Sequence, residues 1–368
     1  LSATTNEGSA GADRLVADSG HVVIDENGKL TALTAGDATV TATTYNGKTA
    51  VCRVHVVDAP TQITLATPDG RTDYGVKEQM QLVWQLDNNV GNIQFSSSNG
   101  RIAAVSESGL VTFLRSGKVT IKATAYNGVS SSITLNSRSE PKSVSLNALR
   151  TKLGLGETAE LSASLSKNSA GSYAFSSSAP EIISVSGTTA AALQTGSAVL
   201  TVTTYNGKKA SKTVTVYPMP ETVSLNANEL TLGAGECFTL SAAPNEGSAG
   251  AYSFESADPA VAAVEAATGR ITAVAPGQTH ITVRCYNGVS ARCGVTVKGA
   301  PEGISISENS LNLSQGDSYQ LSAPILQGEN VFSNTITYKS SRPNVVSVSA
   351  SGLLTAKRTG KCEITITT

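Results

Sequence analysis

The chain has 368 residues, a formal net charge of −1, 15% charged residues and 40% hydrophobic residues. This near-neutral charge argues against a basic surface for nucleic acid or for an anionic membrane. No apolar run reaches the length that spans a bilayer. Because the sequence starts without Met or a signal peptide, we expect it to be part of a longer chain.

The motif Tyr-Asn-Gly recurs four times at intervals of about 80 residues. Each copy follows a run in which apolar and polar residues alternate, and a second alternating run comes after it. Asn-Gly between two such runs predicts a tight β-hairpin, because both residues tolerate positive φ. The turn residues are Tyr45, Asn46, Gly47, Tyr126, Asn127, Gly128, Tyr205, Asn206, Gly207, Tyr286, Asn287 and Gly288.

A proline follows each hairpin at the same spacing and marks a seam between repeats. Proline cannot donate to a β-ladder, so it fits the start of a strand, and the next strand begins within a few residues. This predicts short, stiff joins rather than flexible linkers. The seam prolines are Pro60, Pro141, Pro220 and Pro301. The predicted domains are therefore residues 1–60, 61–141, 142–220, 221–301 and 302–368, with the first incomplete at its N-terminus and the last at its C-terminus.

Taken in chain order, the repeats share one series of short predicted strands. The first repeat has a loop, residues 6–12, whose sequence is identical to residues 245–251 of the fourth. The second departs at residues 74–78, where the third and fourth have a Gly-x-Gly-Glu turn. The sequence of the fourth repeat predicts about seven strands separated by turn signals. The first of them is a split strand at 223–225 and 230–232. This pattern predicts an all-β, elongated tandem array of immunoglobulin-like β-sandwiches, about 80 residues each.

These motifs together resemble the bacterial immunoglobulin-like domain, group 2. The shared order is Val-x-Leu, Leu-x-Leu-x-x-Gly-Glu, Leu-x-Ala, aromatic-Ser-Ser, Pro-x-Val-x-x-Val, Gly-x-[Val/Leu/Ile]-Thr-Ala and Gly-x-x-x-Ile-Thr. Where the family usually carries Trp before Ser-Ser, this chain has Phe95, Phe175, Phe254 and Tyr338. The resemblance implies an extracellular bacterial or phage protein whose domains act as stalks or adhesive modules, as in intimin- and invasin-like adhesins. The resemblance implies neither a catalytic residue nor a cofactor for this chain.

The titratable and sulfur-containing residues give few signs of chemistry. The histidines, His21, His55 and His280, have no second ligand at metal spacing, so we expect no metal site. Cys285 and Cys293 flank one hairpin and face the core, which makes them a candidate disulfide or, as the pattern favours, two small core residues. Cys237 is expected to point outward and to be the most reactive of the five thiols.

Three further features have alternative interpretations. Acidic residues near the seams could hold calcium, but they lack an Asp-x-Asp-x-Asp loop, which favours solvated charges; they are Asp58, Glu140, Glu221 and Glu302. The Gly-x-Gly-Glu segments at Gly154 and Gly233 precede strands rather than helices, so we interpret them as turns and not as phosphate sites. The motif tyrosines are expected to pack at a domain end, on the following repeat, rather than to stack on sugars.

The sequence therefore predicts a non-enzymatic, cofactor-free, monomeric rod about 150–200 Å long, outside the cell, that presents an adhesive or catalytic domain. One alternative is that the repeats themselves bind a glycan or a host surface protein, for which the repeated loop at 245–251 is the motivation. Another is an accessory region of a large secreted hydrolase or of a phage tail or capsid protein. No nucleic-acid partner and no membrane contact are expected within this segment.

Overall fold

The computed structural model describes residues 2–3, 13–147 and 149–368, and within these ranges every helix or strand assigned is a β-strand. The chain forms two compact units. The first comprises Leu1–Ser145, Ala163–Ala174 and Val202–Ala210, and the second comprises Leu146–Ser162, Phe175–Thr201 and Ser211–Thr368. The third predicted repeat contributes residues to both units. The loop at residues 6–12 lies outside the described residues.

The strands follow the period of the sequence. In the first repeat they are β1 (Asp13–Ala17), β2 (Val22–Ile24), β3 (Leu30–Ala32), β4 (Gly36–Thr44) and β5 (Thr49–Val56). In the second they are β6 (Ile63–Ala66), β7 (Asp73–Gly75), β8 (Gln79–Gln81), β9 (Val83–Leu86), β10 (Ile93–Ser97), β11 (Ala103–Val105), β12 (Leu110–Phe113), β13 (Gly117–Ala125) and β14 (Ser130–Arg138).

The remaining repeats continue the same series. The third contains β15 (Val144–Leu146), β16 (Lys152–Gly154), β17 (Thr158–Glu160), β18 (Ala163–Leu165), β19 (Tyr173–Ser177), β20 (Ile183–Ser186), β21 (Thr189–Ala192), β22 (Gly196–Thr204) and β23 (Lys209–Tyr217). The fourth contains β24 (Val223–Leu225), β25 (Glu229–Gly233), β26 (Cys237–Thr239), β27 (Ala242–Pro244), β28 (Tyr252–Ser256), β29 (Ala262–Val264), β30 (Arg270–Ala273), β31 (Gly277–Cys285) and β32 (Ser290–Lys298). The fifth contains β33 (Gly303–Ser305), β34 (Ser318–Gln320), β35 (Ile325–Gln327), β36 (Thr337–Ser340), β37 (Val346–Val348), β38 (Leu353–Ala356) and β39 (Ile364–Thr367).

The fourth repeat, in the second unit, gives the sheet topology most completely. A four-stranded sheet has the order β25-β32-β31-β28, a three-stranded sheet has the order β26-β30-β29, and β24 pairs with β27. The last hairpin is antiparallel, with Ile281 opposite Cys293, whereas β25 joins β32 in parallel with Leu232 opposite Val297. The second repeat, in the first unit, has the corresponding order β10-β13-β14-β7. The predicted immunoglobulin-like sandwich is thus confirmed.

The core of the fourth repeat lies between these sheets and follows the alternation of each strand. The fully buried side chains include Leu240, Ile271 and Ile281, and Val283 and Val295 pack in the same cluster. Outward positions of the same strands are polar, so burial has period two along each strand. Apolar burial of this kind is the dominant stabilising term in a domain of this size.

The Tyr-Asn-Gly segments lie at hairpins, but the turn differs from the predicted form. At the fourth copy the Gly288 N–H donates to the carbonyl oxygen of Cys285 at 2.9 Å, and Gly288 alone has positive φ, at 89°. Tyr286 and Asn287 therefore occupy an ordinary turn, and Gly288 takes the left-handed position that follows it, as in a three-residue hairpin loop. The prediction of positive φ at Asn was wrong, because the loop includes Tyr and needs only one left-handed residue.

The buried leucine of the fourth repeat provides a stability test. Replacing Leu240 with Ala leaves a cavity in a fully buried site, so we expect that repeat to lose about 2–5 kcal/mol of stability. Hydrogen exchange of fourth-repeat peptides in increasing urea measures this loss. Val274→Ala, at a side chain that is 49% exposed, is the control and should change stability by less than about 0.5 kcal/mol. Equal losses in the two variants would contradict the packing.

Candidate functional site: the junctions between repeats

The asparagine of the hairpin motif ties the hairpin to the seam proline that precedes its repeat. The side-chain amide of Asn206 donates to the carbonyl oxygen of Pro141 at 2.8 Å, and that of Asn287 donates to Pro220 at 2.7 Å. The first unit repeats the contact between Asn127 and the Pro60 carbonyl oxygen at 2.8 Å. Each of these prolines is buried. The motif thereby fixes the end of the sandwich at which a repeat begins.

The tyrosine of the motif makes a contact across the seam. The hydroxyl of Tyr205 donates to the carbonyl oxygen of Val76 at 2.6 Å, and that of Tyr286 donates to Leu155 at 2.6 Å. Burial raises the pKa of Tyr205 to about 12 and also raises the pKa of Tyr286. In both cases the acceptor belongs to the preceding repeat. The expectation of packing on the following repeat therefore had the wrong direction.

The other two motif tyrosines are exposed. Tyr45 is 76% exposed and Tyr126 is 68% exposed. Tyr126 lies beside Gly91, where an added Cβ would be 3.3 Å from its ring, just as Tyr205 lies over Gly171 and Tyr286 over Gly250. The structure thus brings two of the four tyrosines into junctions.

A short acidic turn on the preceding repeat receives each junction tyrosine. We define the acidic turns as residues 75–78, 154–157 and 233–236. In each of them the N–H of the first residue, a glycine, donates to Oε2 of the glutamate at 2.8 Å. The third residue is left-handed: Lys77, Gly156 and Gly235 have φ of 71°, 82° and 92°. This carboxylate bond closes the turn on itself.

The second oxygen of each glutamate reaches the next repeat. Oε1 of Glu78 accepts the N–H of Ser172 at 2.8 Å, Oε1 of Glu157 accepts that of Ala251 at 3.1 Å, and Oε1 of Glu236 accepts that of Asn334 at 2.6 Å. Glu78 and Glu157 are 3% and 2% exposed. Hydrogen bonds to a buried carboxylate are among the stronger ones in proteins. One side chain therefore holds backbone groups of two repeats.

The first glycine of each acidic turn is required by close packing. An added Cβ on Gly75 would lie 2.5 Å from the Ala170 carbonyl oxygen. The corresponding distances are 2.3 Å from Gly154 to the Ala249 oxygen and 2.1 Å from Gly233 to the Phe332 oxygen. Backbone of the next repeat occupies the space that a side chain would need, so glycine permits the approach.

Cations compensate two of the three junction carboxylates. Nη2 of Arg71 lies 3.0 Å from Oε1 of Glu78, and Arg150 forms an ion pair with Glu157. Glu236 instead accepts the hydroxyls of Ser333 and Thr335, both at 3.2 Å. Burial opposes ionisation of Glu236, but the N–H groups of Gly233 and Asn334 outweigh it and lower its pKa.

The segments at Gly154 and Gly233 were predicted as turns, but residues 74–78 were interpreted as a departure from that turn, although residues 75–78 form the same glycine-to-glutamate bond. The role of all three acidic turns in the junctions was missed. The available signal is an acidic residue three positions after the first turn residue in four successive repeats, at Glu78, Glu157, Glu236 and Asp317. The acidic residues singled out near the seams lie elsewhere: Glu140 pairs with Lys77 at 3.1 Å, and Asp58, Glu221 and Glu302 are exposed.

The candidate disulfide between Cys285 and Cys293 is not formed, and both thiols are free. The hairpin register places Cys293 opposite Ile281, and Cys285 lies four residues further along β31. The two cysteines are therefore not a cross-strand pair. Both side chains are buried, and burial raises the pKa of each thiol, that of Cys293 to about 11. They act as small core residues. Cys237 is exposed, and Nη2 of Arg270 lies 3.3 Å from its sulfur.

Among the described residues, no cluster of three or more His, Cys, Asp or Glu side chains is arranged to hold a metal ion. His55 pairs with Asp37 at 2.6 Å on an open surface, and His21 contacts the Thr34 hydroxyl at 2.9 Å. Within the same ranges, no helix combines the length and hydropathy needed to cross a bilayer.

These sandwiches and their repeated junctions define a tandem array of immunoglobulin-like domains. The family described as "Bacterial Ig-like domain (group 2)" matches residues 61–134, 221–293 and 300–368, together more than half of the chain. The chain therefore belongs to the bacterial Ig-like domain (group 2) family.

Individual relatives are distant. An uncharacterized protein of Clostridium acetobutylicum is 30% identical over 118 residues, which cover 30% of this chain and 12% of that protein. Domains 1–6 of the surface layer protein SbsC align over 96% of this chain and 58% of that one, at 16% identity and a TM-score of 0.22. The protocadherin GammaB4 extracellular domain aligns over 96% and 72%, at 15% identity and a TM-score of 0.20. The chain thus spans less than two thirds of the first two of these proteins.

The junction tyrosines can be tested by removing one oxygen atom. Tyr205→Phe and Tyr286→Phe leave the carbonyls of Val76 and Leu155 without their donor, so each should cost its junction about 1 kcal/mol. Hydrogen exchange of peptides that cover residues 74–78 and 153–157 measures the local loss. The matched control is Tyr126→Phe, at an exposed tyrosine, which should leave exchange unchanged. No difference between these variants would argue against a junction role for the hydroxyl.

The glycine requirement gives a second test. In Gly154→Ala the new Cβ would lie 2.3 Å from the Ala249 oxygen and 2.4 Å from the Tyr286 hydroxyl, so the next repeat must move away. We expect a loss of about 1–3 kcal/mol, seen by calorimetry as a lower unfolding temperature. Gly100→Ala, where nothing lies within 4 Å, is the control. A Gly154→Ala protein with the wild-type unfolding profile would refute the close approach.

Proposed function

We propose that this chain is a non-catalytic spacer segment of an extracellular bacterial protein, which holds an adhesive or catalytic domain away from a surface. The observation that carries the proposal is the glutamate that accepts backbone N–H groups from two successive repeats at Glu78, Glu157 and Glu236. A joint built in this way resists bending, whereas a Gly/Ser linker would not. Membership of a bacterial Ig-like family supports the same role.

The energetics of a junction favour a closed joint. A hydrogen bond to a charged group contributes about 1.5–3 kcal/mol, and one between neutral groups about 1 kcal/mol. The third-to-fourth junction combines the Glu157 bond to Ala251 with the Tyr286 bond to Leu155. Because 1.4 kcal/mol changes an equilibrium tenfold, bonds of this size keep the junction closed most of the time. Short connections, such as that from β23 to β24, further restrict motion.

The contacts of residues 245–251 in the fourth repeat weaken the argument that this loop binds a ligand. Residues 245–251 were singled out because the first repeat has the same sequence at residues 6–12. In the fourth repeat this loop supplies the Ala251 N–H to Glu157 and the Ala249 oxygen above Gly154. Its Asn245 side chain also accepts the N–H groups of Glu221 and Thr222 at 2.9 and 3.2 Å. For the copy in the fourth repeat, a junction role supports the spacer proposal without a glycan or a host protein.

Small-angle X-ray scattering tests the spacer proposal. A stiff array of sandwiches of this size should give a maximum dimension of about 150–200 Å in solution. The double variant Tyr205→Ala/Tyr286→Ala should broaden the distance distribution, because two junctions lose their cross-seam bond. Tyr45→Ala/Tyr126→Ala, at exposed tyrosines, is the matched control and should scatter like the wild type. A compact wild-type particle would refute the proposal.

A further inference from the structure

A groove of about 520 Å³ lies at the second-to-third junction, beside the acidic turn at residues 75–78. The second repeat contributes lining residues such as Val76 and Ser116, and the third contributes Lys142 and Lys208. All of the lining residues belong to the first compact unit. A volume of this size is within the range of small-molecule sites, so the groove is large enough for a small ligand.

Lysine side chains give this groove a positive charge. Lys142 and Lys208 line it, and Nζ of Lys77 lies 3.1 Å from Oε1 of Glu140, another lining residue. Within the described ranges, no carboxylate oxygen lies within 4.0 Å of the ammonium nitrogen of Lys142 or Lys208. Three ammonium groups and one carboxylate leave two positive charges uncompensated, in a chain whose net charge is −1.

The carboxyl group of Glu140 responds to two of these lysines. The hydrogen bond and the charge of Lys77 lower its pKa, and the amide of Asn206 and the charge of Lys208 lower it further. Glu140 is therefore ionised at neutral pH, and Lys77 neutralises it. The charges of Lys142 and Lys208 remain available to a ligand.

Lys77 holds its position at a conformational cost. Its φ of 71° lies in the left-handed region, which disfavours residues with a side chain. The third residue of the other two acidic turns is a glycine, Gly156 or Gly235, which adopts this region readily. Backbone strain of this kind concentrates at functional sites. The pairing with Glu140 gives the strained residue a role in setting the charge of the groove.

The other junctions lack this set of lysines. At the third-to-fourth junction, Glu221 and Val289 occupy the positions of Lys142 and Lys208. At the next junction, Glu302 takes the position of Lys142. The positive groove is therefore a feature of the second-to-third junction and not of the repeat in general.

We propose that this groove binds an acidic saccharide, whose carboxylate or sulfate group contacts the ammonium groups of Lys142 and Lys208. The hydroxyl groups of Ser116 and Ser139, which also line the groove, can donate to and accept from sugar hydroxyls, and Val76 adds an apolar surface. Among the described residues that line the groove none is aromatic, so a nucleobase would find no ring on which to stack. This inference goes beyond the spacer role and does not depend on it.

NMR titration of the full chain tests the proposal, with the backbone amide shifts of Val76, Ser139, Lys142 and Lys208 as the readout. The probes are a sulfated hexasaccharide derived from heparin, a hexamer of galacturonic acid and, as the neutral control, maltohexaose. In a buffer of about 20 mM salt, where surface charges are little screened, at least one acidic probe should shift these amides in a saturable way. Maltohexaose should bind about tenfold more weakly or not at all, because it forms no ion pair. The tighter of the two acidic probes identifies the charged group that the groove prefers.

Charge variants separate the groove from general attraction. Lys142→Gln/Lys208→Gln should weaken the binding of the acidic probe about tenfold, since each exposed ion pair contributes up to about fivefold. Lys118→Gln/Lys122→Gln removes two exposed lysines from β13 of the same unit and is the matched control, which should bind like the wild type. Glu140→Gln removes the negative charge from the lining and should tighten binding, a change that damage to the fold would not produce.

The proposal is overturned if neither acidic probe shifts the groove amides, if maltohexaose binds as tightly, or if Glu140→Gln weakens binding. It is overturned as well if Lys118→Gln/Lys122→Gln loses as much affinity as Lys142→Gln/Lys208→Gln. Tighter binding of a hexaglutamate peptide or of a DNA hexanucleotide than of both saccharides also overturns it, because the groove would then select charge and not a sugar. Each of these outcomes leaves the spacer role as it stands, since X-ray scattering tests that role separately.

Discussion

A buried carboxylate that accepts N–H groups from two successive repeats is the interaction on which the junctions depend. Its first oxygen closes the acidic turn of one repeat, and its second oxygen holds the loop of the next. Burying such a charge is costly unless hydrogen bonds or a cation compensate it. The turn glycine, the loop N–H and the nearby arginine supply this compensation at Glu157. The sequence of the turn is thus constrained by the neighbouring repeat as well as by its own.

The tyrosine and asparagine of the hairpin motif divide two tasks between adjacent residues. Asn287 binds the carbonyl oxygen of Pro220, the seam proline at which its repeat begins, while Tyr286 reaches back to the Leu155 carbonyl in the preceding repeat. Tyr286 and Asn287 are adjacent positions of one ordinary turn, because Gly288 is the motif residue that takes the left-handed conformation. A two-residue Asn-Gly turn would place Tyr286 in the strand. The three-residue loop therefore gives one hairpin both an internal and a cross-seam contact.

Much of the fold could be predicted because its signals are local. Alternation with period two predicted strands such as β31 and β32. The repeat boundaries at the seam prolines stay a prediction. The junction contacts could not be predicted in this way. Ser172 and Glu78 are 94 residues apart in sequence, as are Ala251 and Glu157, so neither pairing follows from a short-range pattern. The available signal was the acidic residue that recurs three positions after the first turn residue in successive repeats.

The cysteines and the acidic turns illustrate why a residue type alone is a poor guide to its role. Cys285 and Cys293 flank a hairpin, yet the register keeps them apart and the core buries both as thiols. Conversely, Glu157 has the residue type expected on a surface and is 2% exposed. In both cases the role of the residue depends on the groups that the neighbouring backbone presents to its side chain. At Glu236 that environment consists of N–H and hydroxyl groups, whereas Glu78 and Glu157 also have an arginine partner, so turns closed by the same hydrogen bond differ in the charge around their glutamate.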